Sequence, residues 1–386
     1  MSYGILKLFY FCFSLGTGAF QFLNLFYVDH GLTPSQIGVL FAVGPLVMII
    51  AQPLWGMLTD YWNSTKITLM ILILCSAATA LFFPFTFSFT HLLILNIIYF
   101  FFHSAIPPIA DVTAMSLLTD RNDFGKIRLW GSIGYAVGVL TIGKMLDFFG
   151  LQLMFFLHSS LIVFALLLAL KLPANKSGKK HFKFKEAMGL FKNRPFIMLL
   201  LFSFFLHLTV HANNSFYSIY LQNLGATITI IGFALLIKSI LEVPFFAVSK
   251  RLMIRYSYPI LLSGVALIYA LRWLVLGVSD NLQVLIWSQI LLSFSYSVQY
   301  FVAVAYVDVI TPKKYRATGQ TIYWAIALGL GGLIGNILAG WIVDYVNIAY
   351  MYQLATGVSL LCIAFLWLKP KQGKEQQIGK TEAIQK

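Results

Sequence analysis

Two charges stand four residues apart in "KSILEVPFF", Lys238 and Glu242, inside a run that is otherwise apolar from 228 to 248. In a helix that spacing puts both on one face, a turn apart. Burial favours the neutral acid and a neighbouring ammonium favours the carboxylate, so a change in surroundings changes whether Glu242 holds a proton. Glu242 is therefore a candidate proton carrier, with Lys238 its charge partner. Pro244 removes the hydrogen bond to the Ile240 carbonyl and loosens the turn beside them. The competing reading is a static, neutralised pair that fixes the rotation of its helix.

Arg272 in "LRWLVLG" and Asp111 beside Pro107 and Pro108 are the other charges deep in apolar runs. At about 1.5 Å per residue, Lys238 lies about 15 Å from one end of its helix and Glu242 about 21 Å, whereas Arg272 lies about 21 Å from the opposite end of its own. The offset makes Lys238 the direct partner of Glu242 and leaves the Arg272 fork for a substrate anion or a switch. Asp111 is the acidic contributor of the first half, and the prolines suit a cavity wall. His207, His211, Asn213 and Asn214 form a polar cluster in "HLTVHANNSF". Two histidines at i and i+4 can ligate zinc, but no HExxH glutamate and no third ligand stand nearby, so no metal is expected. His211, Asn213 and Asn214 are candidates for substrate hydrogen bonds, with Gln21 and Asn24 as counterparts near the N-terminus, against interhelical bonding as the alternative. His103 and His158, with no acid within a turn, are expected to pack. No nucleophile or metal constellation points to an enzyme, and no cofactor is implied.

The elements that must position these residues are helices in lipid. The chain of 386 residues is 59% hydrophobic and 10% charged, with a mean hydropathy of +0.83. A span needs about 20 apolar residues to cross a hydrocarbon core of about 30 Å. Runs at 8–28, 37–58, 67–87, 92–118, 129–149, 151–172, 195–221, 228–248, 258–278, 282–307, 317–343 and 348–368 meet that length. The first is too long, and lacks the cleavage site, for a signal peptide. Cys12, Cys75 and Cys362 fall inside apolar runs, so no disulfide framework is expected.

A net charge of +14 raises nucleic acid as a partner. The placement of the charge argues against it. Twenty-four of the 27 Lys and Arg fall on the side of the N-terminus, and the opposite connections hold none. By the positive-inside rule both termini are cytoplasmic, and the excess charge reflects topology with weak attraction to anionic lipid.

The stretch 173–194 is a basic linker that separates six spans (1–172) from six (195–370), and 371–386 is a polar tail. The halves echo each other: "YVDHGLTPSQIGVL" from Tyr27 is answered by "YLQNLGATITIIGFAL" from Tyr220, and Asp111 by Asp308. Parallel six-span halves are the organisation of transporters that rock two bundles around a site near the midplane. Glycines crowd the fifth span (Gly131, Gly134, Gly138, Gly143) and the eleventh (Gly329, Gly331, Gly332, Gly335, Gly340), for static packing, a sliding interface, or both.

"GKIRLWGSIGYAVG" (125–138) resembles the major facilitator superfamily, in particular its phenylpropionate-permease-like and nucleoside-proton-symporter-like branch. "QPLWGMLTD", "HANNSFYSIYLQNLG", "LEVPFF" and "LRWLVLG" support the resemblance, which covers nearly the whole chain outside the linker and tail. It implies an all-α membrane protein of twelve transmembrane helices in two six-helix bundles. Gly56 and Asp60 match the superfamily's loop motif after the second span, and with Arg128 they are gating candidates. The arginines usual in that motif are missing from "GMLTDYWNSTK", so gating there leans on fewer charges. The fifth span lacks the Gly-Pro pair common in drug-proton antiporters, which favours uptake over efflux. The expectation is a monomeric, proton-coupled symporter of a small organic solute in the plasma (inner) membrane. Proton-coupled efflux is the first alternative, and a sensor or scaffold without flux is the second.

Overall fold

The computed structural model describes residues 2–118, 124–171, 188–312 and 315–367. Twelve helices long and apolar enough to span a bilayer run in order: α1 Tyr3–Asp29, α2 Pro34–Trp62, α3 Thr65–Phe85, α4 Phe89–Leu117, α5 Phe124–Phe149, α6 Leu153–Leu170, α7 Arg194–Asn223, α8 Ile228–Phe246, α9 Tyr258–Val278, α10 Leu282–Ile310, α11 Thr318–Tyr345 and α12 Ile348–Trp367. The described residues contain no strand. Of the linker expected at 173–194 only 188–194 is described, as a turn at Met188–Lys192 leading into α7. The tail at 371–386 lies outside the described residues.

Apolar length makes the spans, and local chemistry ends them. Thr33 and Thr227 each cap a helix by accepting the backbone N–H three residues on, at 3.3 Å in both cases, which satisfies a donor the helix leaves open. Just before each cap the chain turns through a glycine with positive φ, Gly31 at 72° and Gly225 at 85°, a conformation that a Cβ disfavours. The echo between "YVDHGLTPS" and "YLQNLGATIT" is thus one turn built twice. Several spans are interrupted. α4 breaks at Ser104 and Ala105 ahead of Pro107. α8 carries Pro244 within a helix that continues to Arg255. α11 contains a π-helical turn at Ala325–Leu330, a feature frequent at functional sites.

The packing repeats between the two six-helix bundles. In the first, α1 lies against α5 and α6, α3 against α6 and α4, and α2 against α4; in the second, α7 lies against α11 and α12, α9 against α12 and α10, and α8 against α10. The bundles meet along two seams, α2 with α11 and α5 with α8, which are themselves a symmetric pair. Glycines allow close approach both within a bundle and across the seams. Within the first bundle a Cβ at Gly134 would strike the Phe11 carbonyl and one at Gly138 the backbone of Leu15. Across the seams, a Cβ at Gly232 would strike the Val139 carbonyl and one at Gly340 would lie 2.6 Å from the Pro34 carbonyl.

The seams close the end of the molecule that carries Asp29, Asp147, Asp280 and Asp344. Asp147, ending α5, accepts the backbone N–H groups of Ile228 and Thr229 at 2.9 and 2.8 Å, and the Thr229 hydroxyl as well. Asp344, ending α11, accepts the Ser35 N–H at 3.3 Å. Each aspartate therefore sits on the N-terminus of a helix in the other bundle, where unpaired N–H groups and the helix dipole favour an anion. Deeper in, Asn336 donates to the Phe41 carbonyl at 3.0 Å and accepts the Ser215 hydroxyl at 2.8 Å.

Candidate functional site

A cavity of about 340 Å³ lies between the bundles, lined by Asp111, Arg128, Lys238 and Glu242 together with Tyr10, Tyr135, Tyr296 and apolar neighbours. The first bundle supplies one charged pair. Asp111, on the proline-started segment of α4, accepts the Tyr10 hydroxyl at 2.7 Å and Arg128 Nη1 at 3.4 Å. The second bundle supplies the other pair. Lys238 Nζ and Glu242 Oε1 are 3.8 Å apart, one turn along α8, and the Tyr296 ring lies 5.4 Å from the ammonium. Two serines one turn apart on α10 fix the face of α8 that carries them: Ser293 donates to the Lys238 carbonyl at 2.8 Å and Ser297 to the Glu242 carbonyl at 3.2 Å. At the basic end of the molecule the wall includes Arg128, whose side chain is 60% exposed.

A second chamber of about 110 Å³ adjoins it, lined by Gln21, Asn213, Asn214, Tyr217, Ser218 and Gln289 among others. Lys238 and Tyr135 line both spaces. The arrangement pairs a charged compartment with a neutral, hydrogen-bonding one, and one cation stands between them.

The structure brings together most of the residues singled out in the sequence and sets others apart. Arg128, expected at a gate, faces the cavity. Arg272, expected to be free for a substrate anion, is instead fully buried behind the smaller chamber, with its guanidinium on Asn213 and Gln289. Asn24 lines neither space: it is 1% exposed and donates to the Ser215 carbonyl at 2.9 Å, bridging the bundles. His211 is turned toward the α2–α11 seam, where a Cβ at Gly332 would lie 3.0 Å from its ring and 2.8 Å from Pro45. Gly56 and Asp60 occupy the last turns of α2, away from both linings. His103 bonds Ser76 at 3.1 Å, and His158 bonds the Gly16 carbonyl and Tyr99 at 2.9 and 3.2 Å, all within the first bundle. Tyr10, Tyr135, Tyr217, Tyr296 and Gln289 also line these spaces, and the sequence reading does not single them out. The tyrosines are hidden among 19 of their kind. Gln289 was findable as an amide within an apolar span.

Two six-helix bundles around a central cavity with charged and amide walls define a secondary transporter of the major facilitator fold, not an enzyme. Residues 3–354 match the MFS_1 like family, and the chain belongs to it. It is 28% identical over 380 residues to a maltose permease of Geobacillus stearothermophilus, covering 97% of this chain and 96% of that one. It is 24% identical over 375 residues to a probable 3-phenylpropionic acid transporter of Escherichia coli (strain K12), covering 95% and 97%. Among solved structures, the nucleoside transporter NupG superposes with a TM-score of 0.85 at 17% identity, covering 96% of this chain and 100% of that one. The protein is a multi-pass membrane protein that binds a small-molecule substrate.

Proposed function

We propose that this transporter takes up a small, neutral, hydroxyl-rich solute of the saccharide kind together with protons, by alternating access across the plasma membrane, with both termini in the cytoplasm. The observation that carries the reading is the presence of Glu242, Lys238 and Asp111 on one cavity between the bundles. Glu242 is the proton carrier. Its protonation removes the charge that holds Lys238, and the ammonium then turns to solute oxygens in the smaller chamber. Proton and solute binding are linked through that one cation, and linkage of this kind is reciprocal. Asp111 holds Arg128 and Tyr10 on the facing wall. Gln21, Asn213 and Asn214 bond the solute, and Gly56 and Asp60 act in the gate at the cytoplasmic end.

With Glu242 ionised the wall is balanced, one acid facing each base in two pairs, and with Glu242 protonated Lys238 becomes a donor to solute oxygens, which a neutral, hydroxyl-rich solute supplies. The saccharide class is supported by the amides and tyrosines of the smaller chamber and by the maltose permease among the relatives. Proteoliposomes with an imposed pH gradient provide the test: labelled maltose accumulates, and a protonophore abolishes the accumulation. Uptake indifferent to the protonophore would rule out proton coupling. A thermal-shift comparison of maltose, 3-phenylpropionate and uridine decides the class, and stabilisation by 3-phenylpropionate alone would overturn the choice of a neutral solute.

A further inference from the structure

Arg272 is fully buried in α9, and among the described residues no carboxylate pairs with it. A guanidinium removed from water without a counter-ion is costly unless its donors, set in a rigid planar fork, find acceptors. Three acceptors meet the fork. Nη1 donates to Asn213 Oδ1 at 2.9 Å, Nη2 to Gln289 Oε1 at 3.4 Å and Nε to the Ser288 carbonyl at 3.3 Å. The rings of Trp273 and Tyr217 lie 4.8 and 5.3 Å from the guanidinium carbon and supply cation–π attraction in place of an anion. The Tyr352 hydroxyl is a second donor to Asn213 Oδ1, at 3.3 Å.

A side-chain amide presents either its oxygen or its NH2 to a ligand, depending on a half-turn of the terminal torsion. Here that half-turn is blocked. Two donors fill the lone pairs of Asn213 Oδ1, and the reversed amide would set its own N–H groups against those of Arg272. Asn213 and Gln289 both line the smaller chamber, so N–H groups are what the two amides turn away from Arg272; the Gln289 side chain also bonds Tyr217 on the same lining. Lys238, on the same lining, adds a third donor group.

We infer that Arg272 is a positioning residue that sets specificity: by holding the amide oxygens of Asn213 and Gln289, it makes the smaller chamber a donor array selecting solutes rich in acceptor oxygens, without touching the solute itself. The inference rests on the proposed function in that the transported solute must enter this chamber.

The test has an arm without solute and an arm with it. In the purified, solute-free protein, Asn213→Asp supplies the missing counter-ion at the oxygen Arg272 already holds. The melting temperature is expected to rise, and the rise to vanish in an Arg272→Gln background; no rise overturns the assigned contact. In the second arm, maltose, 3-phenylpropionate and uridine serve as probes, and affinity is measured for whichever stabilises the wild type. Asn213→Asp is expected to weaken that probe at least about tenfold, because an oxygen replaces the donor. Arg272→Gln is expected to weaken it in the wild-type background and to add no loss in a background that carries both Asn213→Ala and Gln289→Ala, the two amides through which Arg272 acts. An equal loss in both backgrounds means that Arg272 contacts the solute directly and overturns the positioning role. If no probe binds the wild type, the proposed solute class fails, while the solute-free arm still decides the Arg272–Asn213 contact.

Discussion

Glu242 and Lys238 stand 3.8 Å apart on one face of α8, and their backbone carbonyls are each held by a serine of α10. Their helix is therefore anchored beside Pro244 while their side chains face the space between the bundles. A pair so placed can change partners without a change in the helix that carries it.

Glu242→Gln keeps the size of the side chain and removes the titrating group. Accumulation of solute driven by a pH gradient is expected to disappear, while exchange of labelled for unlabelled solute across the same vesicles continues. Undiminished accumulation would show that the proton is carried elsewhere.

The wall charges predict a change of preference. Asp111→Asn leaves Arg128 without its carboxylate and gives the cavity one excess positive charge. One unit charge about 4 Å away in a water-filled cavity is worth about 1 kcal/mol, so affinity for 3-phenylpropionate relative to maltose is expected to rise about fivefold in competition binding. A ratio that stays constant would mean that Asp111 does not contribute to the field in the cavity.

Asp147 and Asp344 fasten each bundle to a helix N-terminus of the other. A carboxylate in that position is worth roughly 0.3 to 2 kcal/mol. Asp147→Asn and Asp344→Asn are expected to shift the population toward the form open at the acidic end, by severalfold singly and more when combined. Distances between spin labels on α5 and α8, measured in the resting protein, check this, and distributions identical to wild type count against the latch.

Two glycines separate folding from cycling. Gly134 faces the Phe11 carbonyl inside one bundle, whereas Gly232 faces the Val139 carbonyl across a seam between bundles. Overpacking of this sort costs about 1–3 kcal/mol. Gly134→Ala is expected to lower the melting temperature, because both states contain that contact. Gly232→Ala is expected to open the seam and slow transport with a smaller loss of stability. Gly264→Ala, which meets open space, serves as the control.

The sequence by itself determined the twelve spans, the split into halves and the sorting of basic residues to one side, because hydropathy over about 20 residues and the cost of charge in lipid are local properties. It also placed Glu242 beside Lys238, since a helix fixes which residues share a face. Depth along a span is legible too, and it sets Arg272 apart from Glu242, whose partner is Lys238. What each helix turns toward was decided only by the tertiary structure. Rotation about a span is set by packing against its neighbours, and a nearly uniform apolar sequence carries little record of it. That rotation brought Arg128 onto the cavity wall and set Arg272 behind two amides. It also made Asn24 a bridge between the bundles and joined Asp147 and Asp344 to helices more than 80 and 300 residues away.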